Sequence, residues 1–478
     1  MSTKIKVLEK VPLLTLAHPS PDKINFGKLF KNWPPEKANV LTEADNAHDN
    51  LLCTLKTEHP MATRIEALDR YLRAALAVEQ AKDSDLTIHP TDVRIHWNQS
   101  PFVAHKYVER FFPATYFNNE ILHIVLLRAI LMMNEAFLKS SASGPEQSVT
   151  ILKEAAGIFH FLASDRRVIG AEQIPHEFQP GVLNSLKSVC LAQVYALIAS
   201  KGERDGLASG GISKLCYTVS ATYSSALEAA QSVNPKDVLH SQYINWIVGA
   251  KKFYYACAAI HLGYFNKSKD FIGKAISLVR FAINQLTEVS KLDKNNTRLN
   301  EAVNALLAAA RPLNDEWSQE NFAVQNEYVP SPEEAELMIT QSITSMPNLP
   351  QPTPYSLPEP ATPMGGMPGE IASPSQPQGG MTDFDGSNNQ SGGYGNGGYG
   401  NNNKPSGYGQ GGYGQGGYGN NGGNQGGGYG QGGYGSNNNQ SGGYGQGGYG
   451  QGGYGQGGYG NNSQNRGYGN GGYGGGVF

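Results

Sequence analysis

The sequence predicts a mainly α-helical domain followed by a low-complexity tail. Apolar residues recur at helical spacing through most of the first 340 residues. The composition then becomes proline-rich, and from about residue 387 it consists almost entirely of Gly, Tyr, Asn, Gln and Ser. We therefore divide the chain into a folded domain (1–340), a linker (341–386) and a tail predicted to be disordered (387–478).

The first part of the domain mixes extended segments with helices. Residues 5–16 look extended, and residues 86–97 have strand-like β-branched content that Pro90 interrupts. Residues 61–81 predict an amphipathic helix, because four apolar side chains fall on one face (Ile65, Leu68, Leu72, Leu76). Two further helices are predicted, one starting near Asn118 and one covering residues 145–163.

Long helices continue through the second half of the domain. We predict helices at about 181–199 and 209–232, and another that starts with Asn234 as N-cap and Pro235 in its first turn and runs to about residue 262. Residues 267–290 have the clearest pattern, a 4-3-4-3 spacing of Ile272, Ile276, Val279, Ile283 and Leu286. A last helix, residues 297–310, is predicted to stop before Pro312.

Successive long helices with short connections and small residues on their apolar faces are typical of an α-solenoid or a bundle. Residues 258–282 resemble a tetratricopeptide helix pair. Because only one such pair is evident, a regular repeat array is not predicted.

Charge and cysteine content limit the classes of function. Removing the two basic and four acidic residues that lie beyond residue 340 leaves 35 basic and 36 acidic residues in the domain. Such a balance provides no overall attraction to nucleic acid. The four cysteines are far apart, which indicates free thiols in a reducing compartment. With no signal-peptide pattern and no apolar run long enough for a bilayer, we expect a cytoplasmic protein.

Signatures of enzymes do not emerge from the sequence. Residues 206–214 superficially resemble a phosphate-binding loop, but the G-K-[ST] ending is absent. His176-Glu177 is not followed by a second histidine at helical spacing, and the G-x-S-x-G motif is absent. We therefore predict no catalytic, cofactor-binding or metal-ligating residues.

The tail carries tyrosines mainly every fifth residue, as at Tyr444, Tyr449 and Tyr454. Stacking on nucleic acid bases also requires cations, and only Lys404 and Arg466 are charged there. Weak multivalent contact with itself or with partner proteins is favoured, and a passive spacer remains the alternative.

Four segments of the helical region have the text of a known domain: LKEAAGIFHFL (152–162), LAQVYALIASKG (191–202), FYYACAAIHLGYFNKSKDFIGKAISLVRFA (253–282) and QENFAVQNEYVP (319–330). They resemble the Bro-domain family (the BRO-one domain), which occurs in Alix-type and Brox-type adaptors of the ESCRT system. The resemblance covers nearly all of residues 5–340 in the family's order and is nearest to the short Brox-like form.

The resemblance implies a curved, boomerang-like helical solenoid with a small β-sheet. It also implies an apolar pocket on the concave face that binds the C-terminal amphipathic helix of an ESCRT-III subunit. Carried over to this chain, the pocket residues are Ile198, Ile212 and Leu215, with ordinary core packing as the alternative for each. One apolar pocket position of the family falls near Gly211. The position where some members carry a phosphorylatable tyrosine is Gln325.

We therefore expect a non-enzymatic adaptor that binds ESCRT-III in endosomal sorting or membrane remodelling. It would be cytoplasmic and recruited to endosomal membranes, with indirect membrane contact, no specific nucleic acid partner and no cofactor. The alternative is a generic helical scaffold whose Gly-Tyr tail drives self-association or recruitment into condensates.

Overall fold

A computed structural model of the chain describes residues 5–30, 33–82, 94–95, 97–98, 102–104, 112–113, 117–142, 144–165, 175–292, 296–342 and 350–362. These residues belong to one unit of the fold, which spans residues 1–375. The remainder of the predicted linker and the Gly-Tyr tail lie outside the described residues.

Helices account for most of the described part. The first half contains α1 (Phe26–Leu29), α2 (Ala38–Lys56), α3 (Met61–Ala81), α4 (Phe117–Ala142) and α5 (Pro145–Ser164). The second half contains α6 (Pro180–Arg204), α7 (Ser209–Gln231), α8 (Ser241–Lys267), α9 (Ile272–Leu292), α10 (Thr297–Glu320) and α11 (Pro332–Ser342). Short 3₁₀ turns lie at Pro35–Lys37 and His176–Phe178, and a π-helical turn at Asn321–Gln325 follows α10.

From α2 to α10, each long helix packs against the one before it, which gives the predicted solenoid-like arrangement. Two of these helices, α4 and α6, are long and apolar enough to cross a membrane. However, 72% and 78% of their most apolar windows are buried inside the structure. Their uniform apolarity is that of central helices that contact neighbours on several sides.

The predicted tetratricopeptide-like pair corresponds to α8 and α9. These two helices pack closely, and Asp270 has a left-handed backbone (φ 64°) in the turn between them. A Cβ at Gly263 of α8 would lie only 3.3 Å from the carbonyl oxygen of Ala275 in α9. The small residues therefore let the two helices approach closely.

The predicted start of α8 at Asn234-Pro235 was wrong. The helix begins at Ser241, and the ring Nδ1 of His240 caps it by accepting a hydrogen bond from the Gln242 amide (3.2 Å). The peptide bond between Asn234 and Pro235 is cis, and the Asn234 amide donates to the side-chain oxygen of Gln179 (3.2 Å). Asn234 is therefore engaged with a neighbouring turn instead of capping a helix.

The predicted end of α10 before Pro312 was also wrong. The helix continues to Glu320 with Pro312 inside it. Leu313 and Trp317 are buried in the core, and their packing stabilises the continued helix. Pro312 lies on the exposed side, where the carbonyl group that loses its helical partner faces water.

The N-terminal segment, predicted to be extended over residues 5–16, contains a turn at 7–8 and a bend at 9–10, and it pairs with helices instead of strands. Its backbone amides donate to side chains of α4, α6 and α8: Ile5 to Tyr264, Val7 and Leu8 to Glu203, Leu14 to Gln193 and Leu16 to Asn134. These helical side chains replace the partners that a sheet would supply.

The β-structure in the described residues consists of two short antiparallel pairs and an isolated antiparallel bridge between Val103 and Leu239. β1 (Ser20–Pro21) pairs with β3 (Trp97–Asn98), and β2 (Arg94–Ile95) pairs with β4 (Phe112–Pro113). Most of the strand-like segment predicted at 86–97 lies outside the described residues.

Residues 350–362, which we call the strap, lie in the predicted linker and pack on the domain without forming helix or strand. The Thr353 amide donates to the Lys153 carbonyl of α5, and the Ala361 amide donates to the Arg73 carbonyl of α3 (both 3.0 Å). The Tyr355 ring contacts the Phe161 ring edge-on, with centroids 5.2 Å apart. The folded unit therefore includes part of the segment predicted as linker.

Candidate peptide-binding surface

The predicted pocket residues lie on the hairpin formed by α6 and α7. The turn between these helices is tight, with Gly206 in a left-handed conformation (φ 79°) that favours glycine. The Leu207 amide then donates to the Gly202 carbonyl (2.8 Å), as at many helix C-termini. The C-terminal end of α6 and the N-terminal end of α7 are thereby held side by side.

Two of the three predicted residues reach the surface of this hairpin. Ile198 and Leu215 are half-buried, whereas Ile212 is fully buried in the core. Gly202 follows Ile198 by one helical turn, and a Cβ built on it would lie 4.0 Å from Cδ1 of Leu215. Ile198 and Leu215 therefore border the same strip between the helices, and Ile212 supports it from within.

Leu207 is a contributor that the sequence analysis missed. Its exposed side chain lies over two glycines: a Cβ at Gly202 or Gly211 would be 3.2 or 3.4 Å from Leu207 carbons. Leu207 thus covers Gly211, the position at which the family resemblance implies an apolar side chain. No periodicity could have identified it, because it lies in a turn.

Phe265, near the end of α8, extends the same apolar area. A Cβ at Gly210 would lie 3.3 Å from the Phe265 ring, which is exposed on its other side. We refer to Ile198, Leu207, Leu215 and Phe265 as the α6–α7 surface.

A buried anchor holds the end of α6 in place beneath this surface. The two carboxylate oxygens of Glu203 accept hydrogen bonds from the amides of Val7 (2.9 Å) and Leu8 (2.8 Å). Nε2 of the fully buried His261 lies 3.3 Å from Glu203 Oε1. Burial alone would raise the pKa of Glu203, but these hydrogen bonds and His261 lower it overall.

Charged groups border the surface on the side of α5. Lys201 of α6 forms an ion pair with Glu146 in the first turn of α5 (2.6 Å). The hydrogen bond from Lys201 lowers the pKa of Glu146. Because both side chains are exposed, the pair provides polarity at the border more than it provides stability.

Several titratable groups elsewhere in the domain are buried in contacts that stabilise the fold. Glu120 is buried, and its carboxylate accepts hydrogen bonds from the Tyr71 hydroxyl (2.8 Å) and the Trp97 indole (2.6 Å). Burial raises the pKa of Glu120, while these two donors oppose the rise. Cys190 and Cys216 are buried, which raises the pKa of each thiol and disfavours the nucleophilic thiolate. Within the described residues, no three His, Cys, Asp or Glu side chains are placed to hold a metal ion.

A cavity of about 690 Å³ lies on another face, between α3, α4 and α5. Its lining is rich in charge, but two of its arginines are paired: Arg70 with Glu43 (2.8 Å) and Arg128 with Asp69 (2.7 Å). These pairs join helices to each other and do not resemble a set of acid, base and nucleophile.

A family model, the BRO1-like domain, matches residues 39–361. The chain belongs to the BRO1-like domain family. Among curated proteins, the pH-response regulator protein palA/RIM20 of Debaryomyces hansenii is 24% identical over 206 residues, 40% of this chain. That alignment spans 26% of the relative, so the chain matches about a quarter of its length.

Solved structures of the family have the same fold. The ALIX BRO1 domain in complex with CHMP4C has a TM-score of 0.53 at 15% identity, over 72% of this chain and 96% of the other. A Bro1 domain studied for endosomal targeting gives 0.51 at 14% identity, covering 70% and 96%. ALIX bound to a late-domain peptide of SIVmac239 gives 0.55 at 16% identity, covering 73% and 50%. Family membership supports a general adaptor role for this BRO1-like protein.

Proposed function

We propose that this BRO1-like protein is a non-enzymatic adaptor that binds the C-terminal helix of an ESCRT-III subunit through the α6–α7 surface. The protein acts in endosomal sorting or membrane remodelling and is recruited from the cytoplasm to endosomal membranes through this partner. The observation that carries the proposal is the apolar strip that Ile198 and Leu215 border on neighbouring helices, with Leu207 and Phe265 exposed beside it.

The geometry suits an amphipathic helix. The strip is apolar and lies on a rigid helical hairpin, so little ordering is required of the protein when a ligand binds. Glycines at 202, 210 and 211 let Leu207 and Phe265 lie close against the helices, so that the exposed apolar side chains form one surface. Such a surface favours a partner that presents apolar i, i+3 and i+4 anchors. The solved complex of an ALIX BRO1 domain with CHMP4C, which has the same fold, suggests the class of partner.

Binding of a fluorescent ESCRT-III C-terminal helix peptide to the full chain tests the proposal. In the double variant Ile198→Asp, Leu215→Asp, two charges enter the strip, and we expect affinity to fall at least about 100-fold, since central apolar contacts dominate such interfaces. The control is Leu292→Asp, which places a charge at an exposed apolar residue at the C-terminal end of α9. It should bind like the unmodified chain.

Two results would contradict the proposal. One is unchanged affinity in a double variant whose circular dichroism and thermal unfolding remain normal. The other concerns cells, where deletion of residues 387–478 should leave endosomal localisation intact. If localisation is lost with the tail, the scaffold whose tail drives recruitment is the better description.

A further inference from the structure

We propose that the segment after α10 forms a second, separate docking surface, which takes a basic amphipathic peptide. This acidic docking surface consists of Phe322, Val324 and Tyr328 together with the carboxylates around them. The inference does not depend on ESCRT-III binding at the α6–α7 surface.

The apolar side chains of this segment are unusually exposed. Phe322 is 88% exposed, Val324 76% and Tyr328 74%, and Leu337 of the adjoining α11 is 54% exposed. Large apolar side chains concentrated in so short a segment are uncommon on a monomer surface and usually mark a binding site.

The backbone that carries them is held in place. The side chain of Asn321 closes the loop on itself: its Nδ2 donates to the Glu327 carbonyl (2.9 Å), and its Oδ1 accepts from the Glu327 amide (2.8 Å). The Asn326 amide, in a left-handed residue (φ 51°), donates to the Asn321 carbonyl (2.6 Å).

A second tie fixes the loop to the start of α9. Glu327 accepts a hydrogen bond from the Gly273 amide (2.8 Å), and the Tyr328 carbonyl lies where a Cβ at Gly273 would stand. The π-helical turn at Asn321–Gln325, a type of turn that is frequent at functional sites, directs Phe322 and Val324 into solvent. The exposure is therefore a property of an ordered loop, and the surface is preorganised for binding.

The charge of the segment identifies the partner. Between Arg311 and residue 362 the sequence contains no Lys, Arg or His but eight acidic residues: Asp315, Glu316, Glu320, Glu327, Glu333, Glu334, Glu336 and Glu359. Lys267 of α8 pairs with one of these acids, Glu320, and Arg280 of α9 bonds to the neutral side chains of Asn314 and Ser318.

In the described part of the chain, no ion pair neutralises Glu327, Glu333, Glu334 or Glu336. An anionic membrane would be repelled by this surface, and so would the same surface of a second copy. A peptide with lysines or arginines around an apolar face matches both properties.

A labelled Lys/Leu amphipathic helical peptide serves as the probe, with fluorescence anisotropy on the full chain at low and high salt. We expect binding that weakens as salt rises, and at least about a tenfold loss in the double variant Phe322→Ser, Val324→Ser. Since both side chains are exposed, thermal unfolding should not change. A Glu/Leu peptide with the same apolar pattern should not bind.

The contribution of charge is tested separately with the double variant Glu333→Gln, Glu336→Gln. The substitutions remove both negative charges, and each glutamine side chain keeps an oxygen that can accept a hydrogen bond. We expect a several-fold loss and a weaker salt dependence. Matched controls alter exposed residues elsewhere: Leu138→Ser, and Glu66→Gln with Glu301→Gln, should leave affinity unchanged. Equal binding by the test and control variants, or attachment of anionic vesicles through Phe322 and Val324, would overturn the proposal.

Discussion

Replacing Gly157 with alanine should release the strap from the domain. Gly157 lies in α5 directly beneath Thr353, and a Cβ there would stand 1.8 Å from the Thr353 carbonyl oxygen. This contact is with backbone and lies within a helix, so no side-chain rotation relieves it. The strap must therefore move away from α5.

The structure gives the size of the effect. Release of the strap breaks the hydrogen bond from the Thr353 amide to the Lys153 carbonyl and the edge-on contact between the Tyr355 and Phe161 rings. It also breaks the contact between the Tyr355 ring and the Arg128 guanidinium, which lies 5.9 Å from the ring centre. At about 1 kcal/mol each, these contacts sum to about 2–4 kcal/mol. Because the strap follows α11, the last helix in the described residues, its release can lower the free energy of unfolding by no more than the free energy with which the strap docks.

Hydrogen exchange of the Thr353 and Ala361 amides measures the release. Their protection should fall by about one and a half to three orders of magnitude in Gly157→Ala. Gly211→Ala makes the same change in another helix but only brings Cβ to 3.4 Å from Leu207, so strap protection should not change.

The sign of the stability change gives a further check. In a chain ending at residue 349, Gly157→Ala should stabilise by up to about 1 kcal/mol, because alanine favours helix over glycine and nothing opposes it. Unchanged protection at Thr353, or destabilisation of the shortened chain, would refute this account of the strap.

Two further substitutions test buried polar anchors. Glu203→Ala leaves the Val7 and Leu8 amides without their acceptor, so we expect a loss of about 1–3 kcal/mol at pH 7, measured by urea unfolding. Because the folded-state pKa of Glu203 is lowered, its contribution holds above the unfolded value of about 4.3 and is lost as pH falls through the folded pKa. A difference between variant and parent that is as large at pH 3 as at pH 7 would contradict this. Tyr71→Phe removes one of two donors to the buried Glu120 carboxylate and should cost about 1–2 kcal/mol, whereas exposed Tyr328→Phe should cost almost nothing; equal effects in the same unfolding assay would contradict the buried role.

Helical periodicity predicted the solenoid well, because it records which side of each helix is buried. The bounds of α3 were predicted at 61–81, as the structure has them. The local start and stop signals at Asn234-Pro235 and Pro312 failed, because a distant contact decides the outcome at each place. Pro312 stays within a helix because Leu313 and Trp317 pack behind it, and α8 starts late because Asn234 bonds to Gln179.

The candidate surface could be predicted only in part. Ile198 and Leu215 come from the family resemblance, and their places on adjacent helices fit a shared strip. Leu207 and Phe265 join them through glycines that are close in space, a relation that the sequence does not display. The acidic character after Arg311 was readable from the start, but the outward direction of Phe322 and Val324 depends on the hydrogen bonds of Asn321.

The N-terminal segment has a consequence for the order of folding in the cell. Val7 and Leu8 bond to Glu203, and Ile5 bonds to Tyr264, at separations of 196, 195 and 259 residues. During synthesis, residues 5–8 must therefore wait for their partners until most of the described helices have been translated. Residues 5–8 are therefore among the last parts of the fold to reach their final place, and until then the ends of α6 and α8 lack the segment that ties them together.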